Sequence, residues 1–330
     1  MRAPRLGFGG APIGNLFASV EDDAAIAVVR YAFDRGIRYF DTAPHYGNGL
    51  SERRISAGLR GIGRDEYVLS SKVGRILVAD VHAPRDQNSY VDVLPFRQRW
   101  DYSRDGTLRS IDDSLARLGT SRLDVVYIHD IDRRTHGAVQ PERFREAMLG
   151  AAAALTELRQ QRVIGGFGLG VNDVQVCIDA LRCIDLDVLL LAGRYTLLDQ
   201  SASAELFPLC QRRGVGIVIG GPFNSGILAT GSHPSDGSAA YYDYAPAKPE
   251  VMTRVEAIES HCRAFGVPLA AAALQFPPAH PAVTGVVAGV RSTDELDQNL
   301  RLAAWPIPSA FWVSLRNNGL IPDDVPVPAA

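Results

Sequence analysis

The chain has 330 residues, 46% hydrophobic and 22% charged, the composition of a chain able to bury a core. A formal net charge of −3 builds no field for a polyanion, so nucleic acid is not an expected partner. The most apolar runs, at 147–155 and 188–192, are too short to cross a bilayer, and no signal-like run follows Met1-Arg2-Ala3-Pro4-Arg5, so no membrane partner and a cytoplasmic location are expected.

Along the chain, short β-branched or apolar runs alternate with segments of helical spacing. Strands are predicted at 5–9, 37–41, 67–72, 123–129, 163–168, 186–192, 214–220 and 284–289. Helices are predicted at 21–35, 51–59, 107–118, 141–160, 172–183, 203–213, 249–265 and 292–302. Most of the strands are continuously apolar, as strands covered on both faces must be. Ser19 or Asp22 is a candidate cap for the first helix, with Gly36 as its stop; Asp105 precedes the third helix and Gly119 ends it; Asp173 and Ser292 stand at two further starts. Eight such repeats predict an α/β fold, a (β/α)8 TIM barrel forming one domain over residues 1–330, with its site at the C-terminal face. An open doubly wound sheet would carry Gly-x-Gly-x-x-Gly after the first strand, and the chain has no such match.

Two connections are long. Residues 74–106 follow the third strand and carry Tyr90, Phe96, Trp100 and Tyr102; residues 222–249 follow the seventh and carry Tyr241-Tyr242-Asp243-Tyr244. Both belong to the C-terminal face and read as lids or binding loops. The four cysteines, Cys177, Cys183, Cys210 and Cys262, lack metal or redox spacing and read as buried thiols in a reducing compartment. The seven histidines are scattered, so no metal site is expected.

The polar ends of three consecutive strands carry the chemistry. The second ends at Asp41, with His45 and Tyr46 in its loop; the third ends at Lys72; the fourth ends at His129, followed by Asp130. Taken singly, each has an ordinary structural use as a loop cap, a solvated amine or a satisfied ring. Together they put a carboxylate, a phenol, an amine and an imidazole on one rim, a set suited to proton transfer at a carbonyl or alcohol oxygen. A free phenol titrates near pH ~10, and a neighbouring ammonium favours its phenolate. The set contains no nucleophile.

Gly36-Ile37-Arg38-Tyr39-Phe40-Asp41-Thr42-Ala43-Pro44-His45-Tyr46-Gly47, followed by Ser51-Glu52, resembles the first signature of the aldo-keto reductase superfamily. Ser71-Lys72 and Val126-Tyr127-Ile128-His129 resemble its later lysine and histidine segments, and the resemblance runs over nearly the whole chain. It implies an NAD(P)-dependent oxidoreductase in which Tyr46 is the general acid/base, Lys72 and Asp41 tune it, and His129 binds the substrate oxygen. The segments 167–172, 191–198 and 220–226 are similar to the D-threo-aldose 1-dehydrogenase (L-fucose dehydrogenase) branch, of which pyridoxal 4-dehydrogenases are close relatives. Many members carry Ser-Asn, Gln and Tyr against the nicotinamide where this chain has Gly170-Val171, Ala192 and Gly220, so backbone groups are the expected contacts. The cofactor residues implied are Gly170, Asn172, Pro222, Asn224, Ser225, Gly226, Leu228, Gly289, Arg291, Glu295, Gln298 and Asn299. The last five belong to the adenosine end, where a helix N-terminus offers free N–H groups. Glu295 stands where members that prefer NADP often have a cation. NAD is therefore expected to be favoured by about ten- to a hundredfold, with Arg291 keeping NADP usable.

The activity implied is oxidation of the anomeric carbon of an aldose of the L-fucose, L-galactose or D-arabinose type to a lactone. A sugar needs convergent polar groups, for which His45, Asp130 and Asn224 are candidates, and an aromatic face, for which Trp100 is one. Two alternatives stay open: pyridoxal 4-dehydrogenation giving 4-pyridoxolactone, and a cofactor-binding regulatory subunit. The oligomeric state leaves no mark in the sequence.

Overall fold

The computed structural model describes residues 6–235 and 237–328, so Arg5, predicted to open the first strand, and the rest of the Met1–Arg5 segment lie outside the described residues. The barrel strands are β1 (Leu6–Gly9), β2 (Tyr39–Asp41), β3 (Val68–Val73), β4 (Leu123–His129), β5 (Ile164–Val171), β6 (Val188–Ala192), β7 (Gly216–Gly220) and β8 (Val283–Gly289). They are hydrogen-bonded as a closed barrel in the order β1-β8-β7-β6-β5-β4-β3-β2, as the strand–helix alternation predicts. The parallel register sets Asp41 beside Ser70, Lys72 beside Tyr127 and His129 beside Gly170. The reactive side chains of β2, β3 and β4 therefore end at one level.

Contact density divides the chain into two units, Met1–Leu190 with Gly289–Leu296, and Leu191–Ala288 with Asp297–Ala330. The first has a core of fully buried Phe8, Phe40, Val126, Tyr127, Phe167 and Leu169. In the second, Tyr195 packs on Phe207 and Phe276 at ring separations of 4.6 and 5.1 Å.

Several helix signals hold and others shift. Asp173 and Ser292 cap as expected, accepting from Val176 N at 2.9 Å and from Glu295 N at 3.2 Å. Gly119 ends its helix with a φ of 62°. The first helix, Asp22–Asp34, starts after Glu21, whose side chain makes no capping bond, so neither Ser19 nor Asp22 caps it. The third, Arg104–Leu118, is capped by Ser103, which has the extended backbone a cap needs and accepts from Gly106 N at 3.1 Å; Asp105 lies inside the first turn. The helix predicted at 141–160 consists of Gln140–Glu146 and Ala152–Gln160 joined by a wide π turn at Ala147–Ala151. Gly150 in that turn lies so close to the 102–104 backbone that a Cβ would fall 2.5 Å from the Tyr102 carbonyl oxygen.

Neither long connection is without structure. Within 74–106, Arg75–Ala79 pairs antiparallel with Phe96–Trp100, setting Arg75 opposite Trp100. Within 222–249 lie a helical turn, Ile227–Thr230, and a ribbon of Tyr241–Tyr242 with Ala245–Pro246. Cys177, Cys210 and Cys262 are buried thiols, whereas Cys183 is exposed at the last turn of its helix. Among the described residues no helix is long and apolar enough to cross a membrane.

Candidate active site

All four predicted catalytic side chains belong to the first unit. Lys72 Nζ donates to Asp41 Oδ2 at 2.7 Å and to the Thr42 carbonyl at 2.9 Å, and both partners of the ion pair are nearly fully buried. Such a pair is tolerated out of water only because the remaining lone pairs find partners. Asp41 Oδ1 accepts from Ser70 Oγ at 2.7 Å, and Tyr39 OH lies 3.0 Å from Ser70 Oγ and 3.0 Å from Tyr127 OH. The carboxylate is thus pinned at both oxygens. Burial is the first cause that holds the Tyr39 phenol well above its ordinary range, and the Tyr127 phenol is raised in the same way.

The Lys72 ammonium stands 4.7 Å from the centroid of the Tyr46 ring. That ring is half-buried, stacks on Tyr90 at 6.0 Å and meets His129 edge-on at 6.2 Å. His129 is 7% exposed; burial first, then the charges of Arg75 and Lys72, drives its pKa well below 6.5, so the ring is neutral. His45 is held neutral by burial, Arg75 and His129 in turn, and its ring lies 5.8 Å from that of His129.

The predicted substrate candidates His45, Trp100 and Asp130 meet around two residues the sequence reading missed, Arg75 and Gln98. Arg75 donates to Gln98 Oε1 at 3.0 Å and to Asp130 Oδ2 at 2.5 Å, and its guanidinium covers the Trp100 ring at 3.9 Å. Gln98 Oε1 lies 3.0 Å from His45 Nδ1, and its amide donates to Asn48 Oδ1 at 2.7 Å. Only the positive φ of Gly74, at 107°, marks the turn that brings Arg75 in. A Cβ there would meet the Tyr102 ring at 2.2 Å, so the turn requires glycine. Tyr102 OH donates to the His129 carbonyl at 2.7 Å and so ties down the strand end.

The residues implied for the cofactor fall in both units. In the first, a Cβ on Gly170 would lie 3.2 Å from Tyr127 Cβ and 3.4 Å from Lys72 Cε, so the bare glycine keeps a space beside the lysine that a side chain would fill. Asn172 is half-buried just beyond it, and Gly289 is exposed, with Pro12 beside it. Arg291 N donates to Glu295 Oε2 at 2.9 Å, and Arg291 Nε is 3.5 Å from Glu295 Oε1. In the second unit, Pro222 and Leu228 are buried, and Asn224, Ser225 and Gly226 share positive φ. The N–H groups of Asn224, Gly226 and Leu228 already bond the carbonyls of Gly221, Phe223 and Phe223, so this loop presents fewer ready donors than its composition suggests. Asn224 donates to the Gly193 carbonyl at 3.1 Å, while its buried Oδ1 has no protein partner. Gln298 is exposed and Asn299 buried. Among the described residues no three metal-ligating side chains cluster.

The profile of the Aldo/keto reductase family matches residues 5–317. The chain is 44% identical to a pyridoxal 4-dehydrogenase of Microbacterium luteolum over 328 residues, 96% of this chain and 94% of that one. It is 40% identical to a D-threo-aldose 1-dehydrogenase of Pseudomonas sp over 332 residues, 97% of this chain and 95% of that one. Among solved structures it is similar to an aldo-keto reductase from Bacillus halodurans in its holo form, with a TM-score of 0.72 and 25% identity over 95% of this chain and 91% of that one.

Proposed function

The chain belongs to the aldo/keto reductase family, and from that premise we propose that it oxidises the anomeric carbon of an aldose of the L-fucose, L-galactose or D-arabinose type to a lactone, with NAD preferred over NADP. The Lys72–Asp41 ion pair set against the Tyr46 ring carries this reading. When bound, a nicotinamide supplies the acceptor for the hydride of C1. The space kept by Gly170 beside Lys72 and the helix start at Ser292 with Arg291 and Glu295 suit such a group in the first unit, as does the orphaned Asn224 Oδ1 in the second.

The proton is the work of the chain's own side chains. Tyr46, as phenolate, takes the proton of the C1 hydroxyl while the C1–H bond breaks, and the exocyclic oxygen becomes the lactone carbonyl. Lys72 favours the phenolate by charge, and Asp41, fixed by Ser70, keeps the amine in place. A neutral His129 hydrogen-bonds the reacting oxygen without competing for its proton. His45 and Trp100 hold the sugar on the far side of that oxygen, and Asp130 acts on it through Arg75.

A second reading is favoured by the pyridoxal 4-dehydrogenase relative. The cyclic hemiacetal of pyridoxal presents the same C–OH group, and its oxidation to 4-pyridoxolactone needs no residue beyond those above. The test is a screen of L-fucose, L-galactose, D-arabinose and pyridoxal with NAD, followed by the near-ultraviolet absorbance of the reduced cofactor. Lactone from at least one aldose is expected; turnover of pyridoxal with none of any aldose replaces the first reading by the second.

A further inference from the structure

Beside the catalytic rings lies a cavity of about 520 Å³ whose lining includes His45, Arg75, Arg97, Gln98, Trp100 and Thr135. Its only charged lining residues are the two arginines. Two open guanidiniums would make an anion site, since Arg binds carboxylate and phosphate in a bidentate manner. Neither is open. Arg97 is paired with Asp80 at the exposed end, and Arg75 with Asp130 at the inner end. The inner pair is 10% and 17% exposed, so water and salt screen it little, whereas the outer pair is solvated.

Asp130 is held for this task. Its backbone sits at a φ of 51°, a conformation rare outside glycine, and its N–H donates to the Gly170 carbonyl at 3.1 Å. Its Oδ2 accepts from Arg75 at 2.5 Å and lies 3.5 Å from His129 Nε2. Arg75 in turn is clamped by Gln98 and by the Trp100 ring. A guanidinium so occupied keeps N–H groups for an acceptor oxygen, but Asp130 already offsets its charge, so an anion gains little there over a hydroxyl. Carboxamides, a neutral imidazole, a hydroxyl and an indole face complete a wall that is rich in hydrogen bonds and without net charge.

We propose that this cavity selects a neutral polyhydroxylated substrate over an anionic one, and that Asp130, acting through Arg75, sets that selectivity. The polyol as occupant rests on the aldose reading above; the charge rule is tested apart from it. Asp130 is a positioning residue here, and its effect is read from a ratio of two ligands so that any change at His129 cancels.

L-galactose and L-galacturonate differ only at C6, a primary alcohol against a carboxylate. Their binding to the enzyme loaded with reduced cofactor, which cannot oxidise them, is measured by titration calorimetry. The wild type is expected to favour L-galactose. Asp130→Asn is expected to move the ratio toward L-galacturonate by about ten- to a hundredfold, the range of a charged hydrogen bond freed for a ligand. Arg75→Met weakens L-galactose and gives L-galacturonate nothing. Should Asp130→Asn fail to fold, Asp80→Asn reads the same sign at the solvated arginine, with a shift of no more than about fivefold. An unmoved ratio in Asp130→Asn, or a wild type that favours L-galacturonate, overturns the rule, and binding of neither sugar overturns the polyol occupant with it. Turnover of L-galactose with NAD is scored separately: no turnover with a moved ratio removes the aldose reading and leaves the rule, and turnover with an unmoved ratio does the reverse.

Discussion

Tyr46 owes its place to two glycines as much as to its strand. A Cβ on Gly14 would fall 2.7 Å from the Tyr46 carbonyl carbon, and one on Gly47, whose φ is 67°, would fall 2.4 Å from the Gly14 carbonyl oxygen. The phenol-bearing loop therefore lies flat against the Pro12–Gly14 turn, and the ring is left over Lys72. If the ammonium is what favours the phenolate, Lys72→Met moves the acidic limb of the kcat–pH profile for oxidation upward by about one unit or more. An unmoved limb assigns the lysine to structure alone. Asp41, Tyr46, Lys72 and His129 were legible because each ends a strand or follows one at motif spacing, and the barrel register then brings them together. Arg75, Gln98 and Ser70 were not. Arg75 and Gln98 come from opposite strands of a hairpin whose alternation is masked by Arg97 and Arg99, and Ser70 acts through Asp41.

At the level of elements, the same hairpin decides what the rim can recognise. A run of 33 residues read as a loop hides a five-pair ladder that delivers Arg75, Gln98 and Trp100 to one cavity. Periodicity finds apolar faces, and the side of this ribbon that carries Arg75 and Gln98 mixes them with Leu77, Ala79, Phe96 and Trp100. The last barrel helix, Thr293–Ala303, was plain in the sequence, and its start bears on the choice of cofactor. Glu295 is about as exposed as Arg291, and the two engage one another, so the carboxylate proposed to face the ribose has part of its charge offset. A preference for NAD of about tenfold, the low end of the range read from sequence, is expected at such a wet rim. Glu295→Arg removes the pair and adds a cation, and kcat/KM measured with both cofactors is expected to turn toward NADP. A ratio that stays put places the adenosine end elsewhere.

Across the whole molecule, strand–helix alternation was readable because each barrel strand must be covered on both faces, which leaves continuous apolar runs. Strand pairing across the barrel and the wide turn at 147–151 depend on contacts distant in sequence, and nothing local announces them. Burial of histidines gives the fold a pH dependence of its own. His129 and His45 titrate well below 6.5 in the folded chain, burial being the first cause for both. Below that pH the unfolded chain takes up protons that the folded one refuses. Stability is therefore full above pH ~6.5 and falls as pH drops toward the folded values, by up to about 1.4 kcal/mol per pH unit for each such histidine. Asp65 and Asp80, lowered by their bonds to Arg122 and Arg97, act only nearer and below 3.8, so the two windows separate. Urea unfolding from neutral pH down to about pH 5 shows the loss, and His129→Asn is expected to reduce it while His45 keeps its share; a wild-type midpoint constant over that range contradicts buried neutral rings.

The proton-transfer role of Tyr46 is the claim on which the account turns, and one substitution isolates it. Tyr46→Phe deletes the phenolic oxygen and keeps the ring that packs on Tyr90 and Lys72. With whichever substrate the screen identifies, kcat is expected to fall about 10²–10⁴-fold, the worth of a lost general acid/base, while the Kd for NAD stays as in the wild type. A Tyr46→Phe enzyme that turns over at the wild-type rate contradicts the account.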